Sequence, residues 1–195
     1  MEISKRNALR YAAVIVLTAI TLGTTPCLTA QSSGSSTANA STTTPSEVVD
    51  QLLSMVEHEM VPLVEAMPAD KFGFAPTHGN FQGVRTFGQQ VQHVIQANYA
   101  MFGRAASMHP KMPANDQLKT KAQLVSALKD SFAFAHKAIA TLDQQNALDN
   151  IKPMDGISTR AGLMVFAIVH MNDHFAQLVE YLRMNGIVPP SSRHM

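Results

Sequence analysis

Cysteine is almost absent from this chain. Its one copy, Cys27, lies in an N-terminal segment patterned like a secretory leader. Residues 1–30 open with Lys5 and Arg6, continue through an apolar run from Tyr11 to about Leu22, and end on Thr29-Ala30 before Gln31. A basic start, a short apolar stretch and a small residue at the cut are the parts of an export signal. The apolar run is shorter than the about 20 residues a membrane span requires, so no stable span is expected after cleavage. Thr24-Thr25-Pro26-Cys27 is a poor lipoprotein box, and Lys5-Arg6-Asn7 supplies no twin-arginine motif, which points to export in the unfolded state. Cleavage after Ala30 leaves no thiol. That excludes a disulfide, a cysteine nucleophile and a thiolate–metal site, and confines any metal centre to nitrogen and oxygen donors.

Charge is also scarce. Losing Lys5, Arg6, Arg10 and Glu2 with the leader takes the 15 basic residues to 12 and the 14 acidic ones to 13, a net charge of −1. A near-neutral chain without basic clusters lacks the electrostatic footprint of a nucleic-acid binder. No segment alternates with period two for long enough to read as a strand. The 12 methionines form no Met-x-x-Met tract of the kind that holds copper, and Met164 and Met171 read as core filler.

What is present is helical. Residues 31–43 (QSSGSSTANASTT) have no apolar periodicity and read as a disordered leader. The domain expected over residues 44–193 contains four helical patterns. The first opens on the capping box Thr44-Pro45-Ser46-Glu47 and runs to about Ala66, with Val48, Leu52, Met55, Val56 and Leu63 as its apolar positions and Pro62 as a kink. After a Pro- and Gly-rich loop over 67–85, a second box, Thr86 to Gln89, starts a helix through about Ser107. Thr120 to Gln123 opens a third, reaching roughly Leu142 with Leu124, Leu128, Phe132, Ala135 and Ile139 at helical spacing. A fourth runs from about Thr159 to Asn185, stopped by Gly186 and Pro189-Pro190. Four amphipathic helices without strands predict an all-α, four-helix bundle.

The chemistry rests on histidine. His170 and His174 are four apart and share the fourth helix's inward stripe with Leu163, Phe166, Ala167, Gln177 and Tyr181. Two buried imidazoles need partners, and one metal ion at about 2.0–2.1 Å satisfies both. The intervening Met171-Asn172-Asp173 lacks the glutamate of a zincin, which argues against a metalloprotease. His93 borders the second helix's seam of Phe87, Val91, Val94 and Met101. It joins the pair as a third ligand if helices two and four are neighbours. Three histidines leave coordination positions open, as in catalytic sites. Gln177 and Tyr181 are candidates to back the ligands, with interhelical hydrogen bonding as the plainer reading. Of the rest, His58 reads as solvated between Glu57 and Glu59, His78 and His109 fall in loops, His194 in the tail, and His136 at a bundle edge.

Thr86-Phe87-x-x-Gln90-x-x-His93 followed by His170-x-x-x-His174-x-x-Gln177 resembles the DinB-like (YfiT-type) metal-binding bundles. The stretch from His174 to Pro190 is similar to that family almost throughout, as are Phe74-Ala75-Pro76 and Gly83-Val84-Arg85-Thr86-Phe87. The likeness spans about Pro45 to Arg193. It implies a four-helix bundle, commonly a homodimer, with one divalent metal on His93, His170 and His174. Imidazole donors suit zinc or nickel first, with iron, copper or manganese as further choices. Some members are thiol-dependent transferases, in which the metal lowers the pKa of the cofactor thiol. Export departs from those members, because small thiols are chiefly cytosolic. The expected function is therefore an extracytoplasmic metal-dependent hydrolase or transferase acting on a small molecule, or else a non-catalytic metal- or ligand-binding bundle.

Overall fold

The structure is a computed structural model that describes residues 43–193. The export leader expected over 1–30, and the low-complexity stretch after it up to residue 42, lie outside the described residues. Among the described residues, no helix is long and apolar enough to cross a membrane.

Four long helices dominate: α1 (Pro45–Ala66), α2 (Phe87–Ala106), α3 (Lys121–Ile139) and α4 (Arg160–Met184). The first three start where their capping boxes stand. The Thr44, Thr86 and Thr120 hydroxyls accept from the backbone N–H of Glu47, Gln89 and Gln123, and those side chains accept in return from the cap N–H. Each box satisfies two helix N–H groups that have no carbonyl partner, and losing such a cap costs about 0.5–2 kcal/mol. α1 continues through Pro62 to Ala66. α2 ends on Ser107 in the left-handed region (φ 56°), and the Met108 N–H turns back to the Gly103 carbonyl at 2.7 Å. A Cβ on Gly103 would stand 3.0 Å from the Met108 carbonyl oxygen, so this close return requires glycine.

The side-chain bridges fix how the helices run. Glu65 pairs with Lys129, and Asp50 and Glu57 with His136, so α1 and α3 are antiparallel. Asn98 donates to Ser131 while Gly88 abuts Leu124, so α2 and α3 are parallel. Gln90 meets Gln177, and His93 meets His170 and His174, so α2 and α4 are antiparallel. Each helix packs on two others, α1 and α2 both touching α3 and α4. A parallel α2–α3 pair needs a connection that travels back along a helix about 30 Å long, which accounts for the extended, proline-bearing segment 107–120. Phe87, Phe102, Phe132, Leu53, Met60 and Leu128 are fully buried where the helices meet.

Two expectations are corrected. The inward face of α1 is Val49, Leu53, Met60, Leu63 and Val64, while Val48, Leu52 and Met55 are exposed. The sequence offers two apolar stripes one residue, or about 100°, apart, and packing selects the second. The chain also contains strands. β1 (Asn150–Met154) and β2 (Ile157–Thr159) form an antiparallel hairpin that runs directly into α4. Its two-residue turn is Asp155-Gly156, with positive φ at both (50° and 82°), the conformation Asp-Gly favours because it matches strand twist. The Arg104 side chain ties the hairpin to α2 through the Pro153 carbonyl at 3.2 Å.

Candidate metal centre

Antiparallel α2 and α4 bring His93 opposite His170 and His174. On α4 the i, i+4 spacing projects both rings from one face, and His93 supplies the third from across the interface. The His170 Nε2 lies 3.2 Å from the His93 Nε2 and 3.2 Å from the His174 Nε2. The rings stand nearly at right angles, with interplanar angles of 73°, 86° and 90°, so each aims an edge at a common point. One ligand atom from each residue lies within 4.8 Å of the others. His174 is buried, and His93 and His170 are half-buried.

The electrostatics keep these rings neutral. Burial, then the Arg85 charge and the other two histidines, depress the His93 pKa to about 4. His170 and His174 are also lowered, chiefly by burial. Asp173 opposes the shift at both, Asp155 at the hairpin tip opposes it at His170, and Arg85 reinforces it at each. Three neutral imidazoles meeting through Nε2 cannot satisfy one another, because one shared proton leaves a lone pair facing a lone pair. One cation accepts all three. Two nitrogens about 2.0–2.1 Å from a tetrahedral ion are about 3.3 Å apart, close to the spacing found here. The residues fit a single divalent ion.

Around the triad, the Asp173 carboxylate accepts from Gln177 Nε2 at 2.9 Å, and Gln90 Nε2 donates to Gln177 Oε1. Gln177 lies close enough to His174 to favour its protonated form, yet His174 Nδ1 is buried without a hydrogen bond. The Tyr181 hydroxyl points elsewhere, donating to the Arg85 carbonyl at 3.0 Å while its ring packs edge-on against Phe74. Gln177 therefore stands beside the histidines, and Tyr181 anchors the loop that carries Arg85. His58 is exposed on α1, as expected. His136 is more than an edge residue. It bridges α3 to α1, with Nδ1 2.5 Å from Asp50 and Nε2 2.9 Å from Glu57.

A model of the DinB superfamily matches residues 52–178. The chain belongs to the DinB superfamily. The match begins within α1 and ends within α4, so it takes in the three histidines and Gln177. Among solved structures, this DinB chain is similar to a DinB-family protein from Exiguobacterium sibiricum, with a TM-score of 0.54 at 16% identity, over 73% of this chain and 92% of that one. At that identity the likeness speaks for the fold. No curated protein matches. Sequence reasoning did not single out Arg85 and Asp173 as neighbours of the triad. Arg85 lies in the Gly83–Phe87 stretch that resembles the family, and Asp173 in the spacer between the helix-four histidines.

Proposed function

We propose that this chain is an exported four-helix bundle of the DinB type that holds one divalent metal through His93, His170 and His174 and presents it to a small-molecule ligand. The observation that carries this reading is the meeting of three neutral imidazoles across α2 and α4, with the His170 Nε2 3.2 Å from the Nε2 of both His93 and His174. When bound, the ion supplies a Lewis acid with coordination positions beyond the three histidines. The chain's own residues supply the rest. The Asp173–Gln177–Gln90 chain restrains the α2–α4 seam beside His174. Arg85, held by Tyr181 through its carbonyl, adds positive charge that favours an anionic partner. Zinc and nickel suit three imidazoles best, and iron, copper or manganese can occupy the same donor set.

Two roles fit such a centre, a metal-dependent hydrolase or transferase and a non-catalytic binding bundle in which the ion pins α2 to α4. One observation favours the second: His93 lies on α2 and His170 and His174 on α4, so an ion held by all three would join the two helices. We further propose an extracytoplasmic location, from the leader pattern of residues 1–30, and a homodimer, from the family resemblance. Calorimetric titration of zinc and nickel into chelator-stripped protein tests the centre. One saturable site that each of His93→Ala, His170→Ala and His174→Ala abolishes supports the reading. An isotherm indifferent to all three would overturn it.

A further inference from the structure

One helical turn from the triad, the loop before α2 and the last turns of α4 enclose a cavity of about 700 Å³. Gln90, three residues before His93, and Gln177, three residues after His174, line its wall. Their mutual hydrogen bond marks the border with the histidines. The volume falls within the range of small-molecule sites, about 300–1,000 Å³.

Three features of the lining call for an occupant. Gln90, only 3% exposed, closes the inner wall, with its Oε1 buried behind that wall and without a hydrogen-bond partner. Arg85 and Glu180, both exposed, line the cavity, and neither forms an ion pair among the described residues, so a solvated cation and a solvated anion share one concavity. Phe81, Val84 and Met184, all exposed apolar side chains, gather on the same cavity. A simple carboxylic acid would suit Arg85 and leave Glu180 repelling it. A simple amine would do the reverse. A molecule carrying both charges answers both side chains.

We propose that this cavity binds a small zwitterion of the amino-acid or dipeptide class, with its carboxylate on Arg85, its ammonium on Glu180, and an apolar side group against Phe81, Val84 and Met184. The site goes beyond the metal centre, and it rests on that reading only in adjoining it, since an ion one turn away would add to the pull on the carboxylate end.

The test is calorimetric or NMR titration of the zinc-loaded and the chelated protein with L-leucine and Leu-Leu, and with two truncated probes, leucinamide and 4-methylpentanoate. Metal content is measured on the same samples. At least one of the zwitterions should bind, and leucinamide and 4-methylpentanoate should bind about two- to fivefold more weakly, as expected when an exposed charged partner is left unpaired. Arg85→Gln should erase the preference over leucinamide, and Glu180→Gln the preference over 4-methylpentanoate. Both variants should keep the protein's metal content and melting temperature. Failure of both zwitterions to bind metal-loaded protein, equal binding of the truncated probes, or discrimination that survives both substitutions would overturn the proposal. Zinc bound without zwitterion would sink this inference alone. Zwitterion bound by protein that takes up no zinc would sink the metal reading and leave this one standing.

Discussion

Replacing His174 by leucine should have opposite effects with and without metal. His174 is 6% exposed, its Nδ1 has no partner in the protein, and its Nε2 faces the His170 Nε2 rather than a carbonyl. Leaving one buried polar group unsatisfied costs about 1–3 kcal/mol, and leucine has a similar volume without the polar atoms. In chelator, His174→Leu should therefore melt at or above the wild type. Each kcal/mol corresponds to about 2–4 °C for a domain of this size, so the gain can reach several degrees. With free zinc at a hundred times its Kd, the wild type gains about 2.7 kcal/mol by mass action. The variant, with two histidines left, should gain almost none of it. The order of the two proteins should thus reverse between chelator and zinc when thermal unfolding is followed by far-UV circular dichroism. If His174→Leu is destabilised equally in both conditions, the histidine serves packing and the reasoning from an unsatisfied triad fails.

His136 gives a pH signature. Burial opposes its charge, but hydrogen bonds and attraction from Asp50 and Glu57 outweigh it, so its pKa is raised in the folded state. A raised folded pKa contributes stability that is fully present below the unfolded value near 6.5 and is lost as pH rises through the folded value. His136→Gln should therefore lower the melting temperature more at pH 6 than at pH 9, and an equal loss at both would refute the bracket. Gly103→Ala should destabilise although alanine favours helix by about 0.5–1 kcal/mol, because its Cβ meets the Met108 carbonyl at 3.0 Å; a raised melting temperature would show that the α2 end can give way. Tyr181→Phe removes the hydroxyl that holds the Arg85 carbonyl at 3.0 Å. It should speed amide exchange over residues 79–86 and leave metal content unchanged.

Much of this molecule was legible in local chemistry. The capping boxes at Thr44, Thr86 and Thr120 announced three helix starts because each is a self-contained hydrogen-bond exchange, independent of tertiary context. The His170–His174 pair was legible because helical periodicity puts both rings on one face. His93 needed more, since it joins them only if α2 lies against α4, which no local pattern specifies. The failures have physical causes. On α1, Val48-Leu52-Met55 and Val49-Leu53-Met60 are both plausible stripes, and the choice belongs to the partner helices. The hairpin has strands of five and three residues, too short for period two to emerge, and Asp155-Gly156 is the one local mark of its turn. Arg85 and Glu180 lie 95 positions apart in the chain, and only the packing of the loop before α2 on the end of α4 places them on one cavity.

The central claim is that three histidines hold one ion, and elemental analysis of the protein purified without affinity tag or chelator, beside His170→Ala, tests it most directly. His170 is the ring whose Nε2 approaches both of the others. The account predicts about one divalent metal per chain in the wild type and almost none in the variant. Equal metal in both, or none in either after reconstitution with zinc and nickel, would contradict it and leave a helical protein whose histidines only pack.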